Sequence, residues 1–159
     1  MWYESVAARG ANEIASCLFR FLMECVGPEI KKVVLYSDSC GGQNKNSYVS
    51  AMFAYLLRHH PSIQQIDHKF LIPGHTHMEC DADHATIERK LKTRPFPINL
   101  PRDWYQLVRS AGKNHKFNVL IMSEEHFYSF KSLLKGPLCW SKLNTAQEKF
   151  VWRPIKWLR

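Results

Sequence analysis

Val33 to Asn46 reads VVLYSDSCGGQNKN, and this stretch sets the fold class. The apolar run Val33-Val34-Leu35-Tyr36 has the length and composition of a buried strand. It delivers one carboxylate, Asp38, at its C-terminal end. Gly41-Gly42 then forces a tight turn, and Gln43-Asn44-Lys45-Asn46 leads into a helix. Strand, acid, glycine turn and helix is how α/β folds present a reactive group at a sheet edge. A solvated turn aspartate produces the same pattern, so the reading depends on what else the chain carries.

On either side the pattern continues. Ala11 to Val26 places Ile14, Cys17, Leu18, Phe21, Leu22 and Cys25 at helical spacing, and Gly27-Pro28 ends that helix. Ser47 to His59 puts Val49, Met52, Phe53, Leu56 and Leu57 on one side, and Pro61 stops it. Ile66, His68, Phe70 and Ile72 alternate on one strand face before Pro73-Gly74. Helix, strand, helix, strand predicts parallel pairing in an α/β layer. Trp2 and Tyr3 are strand-type residues with no partner strand ahead of them.

A second acidic cluster follows, GHTHMECDADH at 74–84. Ala82 to Leu91 is expected to be helical, with Asp81 near the N-cap. Asp81 and Glu88 then share a helix face. One carboxylate at a strand end and two along a later helix could hold Mg²⁺ or Mn²⁺. Two such ions activate a water and stabilise a leaving oxygen in phosphodiester chemistry. The same acids also serve as a dipole-stabilised helix start and a solvated glutamate. Gln43 and Asn44 suit positioning of Asp38 or of a phosphate, and Asn44 could instead cap the Ser47 helix. His75, His77, Cys80 and His84 have the ligand types of a zinc site, although their spacing matches no standard structural zinc motif. Gly74-His75-Thr76-His77 looks like the last motif of calcineurin-type phosphoesterases. That family's DxH, GDxxD and GNHE motifs do not occur.

Charge divides the chain. Residues 1–88 hold seven Lys/Arg against ten Asp/Glu, and residues 89–159 hold 15 against four. Net charges of −3 and +11 make up the overall +8. An acidic half followed by a basic half fits a cation-binding core with a polyanion-facing tail. Thr93 to Pro101 has three prolines in nine residues and reads as a connector. The division is therefore a core at 1–92 and a basic C-terminal extension at 93–159 packed on it. Within the extension, Trp104, Leu107, Val108 and Ala111 mark a helix, Phe117 to Ile121 a strand, and Ser123 the cap of a further helix. The tail KFVWRPIKWLR interleaves Lys149, Arg153, Lys156 and Arg159 with Trp152 and Trp157. Such a run offers phosphate contacts and stacking platforms, or else an edge strand with a charged outer face. Lys45, Arg153 and Lys156 are the candidate substrate-binding cations.

Apolar residues are 45% and charged residues 23%, an ordinary globular balance. No apolar run approaches a membrane span, and MWYESVAARG has no signal-peptide core. Five cysteines without a CxxC pair point to free thiols in a reducing compartment.

The motifs SDSCGGQNKN, GHTHMECD and DHATIERK, with RGANEIASC at 9–17, resemble a domain of unknown function related to DDE transposases of the ribonuclease H-like fold. It is found in animal and fungal transposon-derived proteins, and the similarity covers nearly the whole chain. The resemblance implies an α/β, partial ribonuclease H-like fold with a mixed sheet flanked by helices. Asp38 would be the second acid of a catalytic triad, and Asp81 with Glu88 would supply the third. The chain starts near the end of that family's third strand, so the first strands and their acid are expected to be missing. The resemblance thus implies a nuclear, DNA-binding fragment of a transposase or nuclease, inactive alone.

Overall fold

The computed structural model describes residues 1–72, 78–95, 97–114, 116–136 and 141–159. Val33 and Leu35 alternate with Lys32, Val34 and Tyr36, and this period of two makes strand β1 (Lys32–Ser37). Val33 and Leu35 pack on the core, whereas Val34 and Tyr36 are exposed, Tyr36 by 57%. The strand expected to be buried is therefore buried on one face only. It pairs on one edge with β2 (Gln65–Phe70), in parallel, from Lys32 opposite Gln65 to Ser37 opposite Phe70. Helix α2 (Ser47–His59) makes the crossover between them.

Parallel pairing stands as expected, and the sheet is completed from the far end of the chain. Strand β3 (Trp157–Leu158) runs antiparallel to β2, with His68 opposite Leu158 and Lys69 opposite Trp157. The result is a three-stranded mixed sheet flanked by helices, in the order β1-β2-β3. Of the two readings of the basic tail, its last residues form the edge strand.

Helix α1 (Ala11–Cys25) packs beside α2, and both carry their apolar stripe inward. Leu22, Met52, Leu56, Ile63, Ile66 and Phe130 form the centre of the core. Phe130 begins the short helix α5 (Phe130–Lys135), so the C-terminal half contributes to the same core. One helix was expected from Ser123 onward. Instead a 3-10 turn at Glu124–His126 is followed by an extended break before α5. Two polar side chains of α1 explain the break. Ser16 Oγ accepts from Tyr128 N at 3.0 Å, and Asn12 Oδ1 accepts from Phe130 N at 3.0 Å. Those amides are bonded to α1, where a continuous helix would have directed them to its own carbonyls.

Helices α3 (Glu79–Lys92) and α4 (Pro101–Ser110) form a second, smaller cluster of Ile87, Tyr105, Val108, Phe117 and Val119. The strand expected at Phe117–Ile121 is absent. That segment has no regular structure; its carbonyls accept from the Arg109 and Arg20 guanidiniums, and it meets the backbone of Met1. The terminal amino group donates to Leu120 O, and Met122 N donates to Met1 O at 2.9 Å. No helix among the described residues is long and apolar enough to cross a membrane. Cys17, Cys25, Cys40 and Cys80 are free thiols.

On the core face of β2, His68 is only 3% exposed, between Phe53 and Phe70. Burial lowers its pKa to about 4. The native state thus keeps the ring neutral where an unfolded chain would protonate it near pH 6.5. The unfolded state binds the extra proton between those values, so stability falls as pH drops through this window. Between pH 7 and pH 4.5 this histidine should remove roughly 2–3 kcal/mol. Urea titrations at the two pH values should show that loss in the native sequence and a clearly smaller one in His68→Gln.

Candidate functional site

The site begins where β1 stops. Ser37 Oγ donates to the Asp38 carbonyl at 2.9 Å and lies 2.8 Å from His68 Nε2. With the hydroxyl proton used on that carbonyl, the imidazole donates from Nε2. Its Nδ1 is buried and has no partner among the described residues. Ser39 Oγ donates to Leu71 O at 3.3 Å, tying the chain after β1 to the chain after β2.

Three amides then close the turn on one acceptor. Gln43 N, Asn44 N and Lys45 N all donate to Cys40 O, at 3.3, 2.8 and 3.0 Å. The glycines were expected to force this turn, but neither has a positive φ. A Cβ on Gly42 would meet nothing within 4 Å, and one on Gly41 would meet only Lys45 O at 3.9 Å. The hydrogen bonds make the turn, and the glycines merely permit it.

Asp38 is exposed, and its Oδ1 accepts from Asn44 Nδ2 at 2.7 Å and Cys40 N at 3.1 Å. Asn44 therefore holds the carboxylate's orientation. It does not cap α2. That role falls to Asn46, whose Oδ1 accepts from Tyr48 N at 3.0 Å and Val49 N at 3.1 Å. Asn46 Nδ2 also donates to Gly41 O, bracing the loop from its far end. Gln43 is exposed on the loop.

Lys45 is buried, 5% exposed. Its Nζ donates to Arg153 O at 3.1 Å and sits 4.9 Å from the Phe70 ring centre. Burial lowers its pKa, and the nearby Lys156 adds to the effect. A buried ammonium that donates to a carbonyl and faces a ring is a strut. Phe70 N in turn donates to Lys156 O at 2.9 Å. The backbone of the tail is thus pinned at Arg153 and at Lys156, while both of their side chains stay exposed. Lys45 meets the tail at the Arg153 carbonyl and is turned inward, while Arg153 and Lys156 keep their side chains in solvent.

The helical acids go elsewhere. Asp81 sits in the first turn of α3, and its Oδ2 accepts from Met78 N at 2.9 Å. Asp83 pairs with Lys116. Glu88 is exposed on the same helix, which packs through Ile87 against the α4 cluster. Among the described residues no group of three or more His, Cys, Asp and Glu is arranged to hold a metal ion. Asp38, Asp81 and Glu88 therefore do not form the expected ligand set, and they do not fit a Mg²⁺ or Mn²⁺ ion in this arrangement. The reason is local: Asp81 is committed to its own helix start, where a carboxylate satisfies a free amide. Of the possible zinc ligands, Cys80 and His84 are exposed on α3, and His75 and His77 lie outside the described residues.

His68 is marked in the sequence only as one member of an alternating strand face. Lys45 is marked as a candidate binding cation, and nothing local in the sequence shows that it is buried.

The chain belongs to the family described as a domain of unknown function (DUF7869), whose profile matches residues 1–153. No curated protein and no solved structure matches it significantly.

The two asparagines should separate on mutation. Asn46→Ala removes a helix cap and should cost about 1 kcal/mol. Asn44→Ala loosens an exposed carboxylate and should cost less than about 0.5 kcal/mol. Urea midpoints at unchanged m-value measure both. Equal costs would contradict the division of labour between them.

Proposed function

We propose that the chain is a DNA-binding domain with a partial ribonuclease H-like fold. On this reading it derives from a DDE-type transposase or nuclease, acts in the nucleus, and is not a nuclease by itself. The observation that carries it is the charge of residues 89–159, 15 Lys/Arg against four Asp/Glu. A concentration of cations of this kind draws in a phosphate backbone through counterion release. The fastened tail adds to it, because a pinned backbone presents Arg153 and Lys156 with less ordering entropy to lose on binding.

The core supports the fold part of the reading. A parallel β1-α2-β2 unit with an acid just after β1 is what a ribonuclease H-like sheet requires at that point. Metal-dependent cleavage is a weaker proposal, because two-metal chemistry needs carboxylates on both sides of the phosphate. Asp38, Asp81 and Glu88 are not grouped in that way.

A fluorescent duplex titrated at about 50 and 200 mM salt tests the binding. With roughly five phosphate contacts, affinity should fall by about two to three orders of magnitude between them, with little dependence on base sequence. An affinity that hardly responds to salt would sink the proposal. Supercoiled plasmid with Mg²⁺ or Mn²⁺ should remain unnicked by the purified chain. Robust nicking abolished by Asp38→Ala would show that a competent metal site assembles after all.

A further inference from the structure

A cavity of about 600 Å³ opens at the start of α2, outside the Asp38 turn. Its lining includes Lys131 and Lys135 of α5, Lys142 and Lys149, and the rings of Tyr48 and Trp152. Among the described residues, no acid contributes to the lining. Among the described residues, none of the four lysines is paired with a carboxylate. The local chain makes this convergence. Residues 142–150 fold back as a small hairpin, with Leu143 bridged to Lys149 and Phe150 N donating to Lys142 O at 2.8 Å. The one acid of the hairpin, Glu148, accepts from the Asn144 amide and stays out of the cavity. Phe150 meets Trp152 edge to face at 5.1 Å, and both rings line the cavity with the lysines.

Four uncompensated ammonium groups around one cavity repel one another, and an anion relieves that repulsion. A simple anion would meet only the charge, whereas the lining also presents the rings of Tyr48 and Trp152. A ligand carrying both phosphates and flat aromatic faces uses both. In a duplex the base faces are hidden in the stack, so only the lysine rim would engage it. An unpaired strand exposes its bases and its phosphates together. The volume lies within the range of small-ligand sites, enough to admit a base with its phosphate. The start of α2 adds a modest positive potential at Ser47.

We infer that this lysine- and aromatic-lined cleft between α2, α5 and the 142–150 hairpin is a binding site for single-stranded nucleic acid. Lysines contact the phosphates, and Tyr48 or Trp152 stacks on a base. The inference rests on the nucleic-acid reading above and assigns it a location and a strand preference.

The test uses the full chain with a labelled short oligothymidine and a labelled hairpin duplex at about 50 mM salt. The oligothymidine should bind more tightly than the duplex. Lys142→Glu with Lys149→Glu should weaken oligothymidine binding by thirtyfold or more. Lys90→Glu with Lys92→Glu, an equal charge change on the exposed side of α3, should weaken it less than threefold. Trp152→Ala should weaken oligothymidine binding roughly tenfold by loss of stacking and change duplex binding less than twofold. The lysine changes lie on exposed side chains, so they decide the matter even if Trp152→Ala unfolds. Oligothymidine binding that survives the cleft pair but falls with the α3 pair would overturn the cleft and leave the broader reading standing. Displacement of the oligothymidine by an equal amount of ATP, counted per nucleotide, would make the occupant a free nucleotide and overturn the strand assignment. No binding of either probe by the native chain would remove both readings.

Discussion

Asp67 is the constraint on which the rest of the sheet depends. It lies in the middle of β2, on the face away from the helices, and is only 1% exposed. A buried carboxylate must be compensated. Arg159, 92 residues later, reaches it with Nε at 2.9 Å, and Lys32 of β1 adds an ammonium at 3.1 Å. Gln65 donates to both oxygens at 3.0 Å. Hydrogen bonds from Arg159, then from Gln65 and Lys32, hold the carboxyl well below the usual range and keep it ionised. Residues of β1 and β2 and the residue just after β3 therefore form one charge cluster. Removing the guanidinium would leave the acid buried with less than its full set of partners.

From that cluster the tail acquires its path. Arg159 anchored at Asp67 sets Trp157 opposite Lys69, with the Arg159 guanidinium 4.3 Å from the indole centre. The chain just before it then lies beside the end of β2, where Lys156 and Arg153 offer their carbonyls to Phe70 and Lys45. Lys45 is a residue of the loop that orients Asp38. A bond made in the last residue is thus relayed through three contacts to the carboxylate at the end of β1. The loop is otherwise held by its own amides and by the Ser39 hydroxyl on Leu71 O, and its carboxylate is exposed.

The second polar device works on the opposite face of the core. Ser16 is fully buried, and with Asn12 it accepts the amides of Tyr128 and Phe130. These bonds direct Phe130 into the main core and start α5 where Lys131 and Lys135 border the lysine-lined cavity. In both devices a buried polar side chain fixes a distant C-terminal segment. That is how a chain whose two halves differ so strongly in charge still folds around shared elements.

The sequence by itself determined the elements whose period repeats over several turns. The helices at 11–25, 47–59 and 101–110 and the two parallel strands follow from apolar spacing, because each must bury one face. It also determined the acid after β1 and the basic half of the chain. What it could not determine was pairing between residues far apart. Asp67 among Gln65, Ile66 and His68 shows no sign of needing Arg159, because a two-residue period marks which face a side chain takes and not what covers that face. Lys45 looks like its loop neighbours until the tail crosses over it. Asp38, Asp81 and Glu88 carry the right chemistry, yet the capping bond of Asp81 and the packing of α3 on α4 take two of the three elsewhere. Tertiary structure decided all of these, because burial of a charge and assembly of a site depend on segments that meet only when the chain is folded.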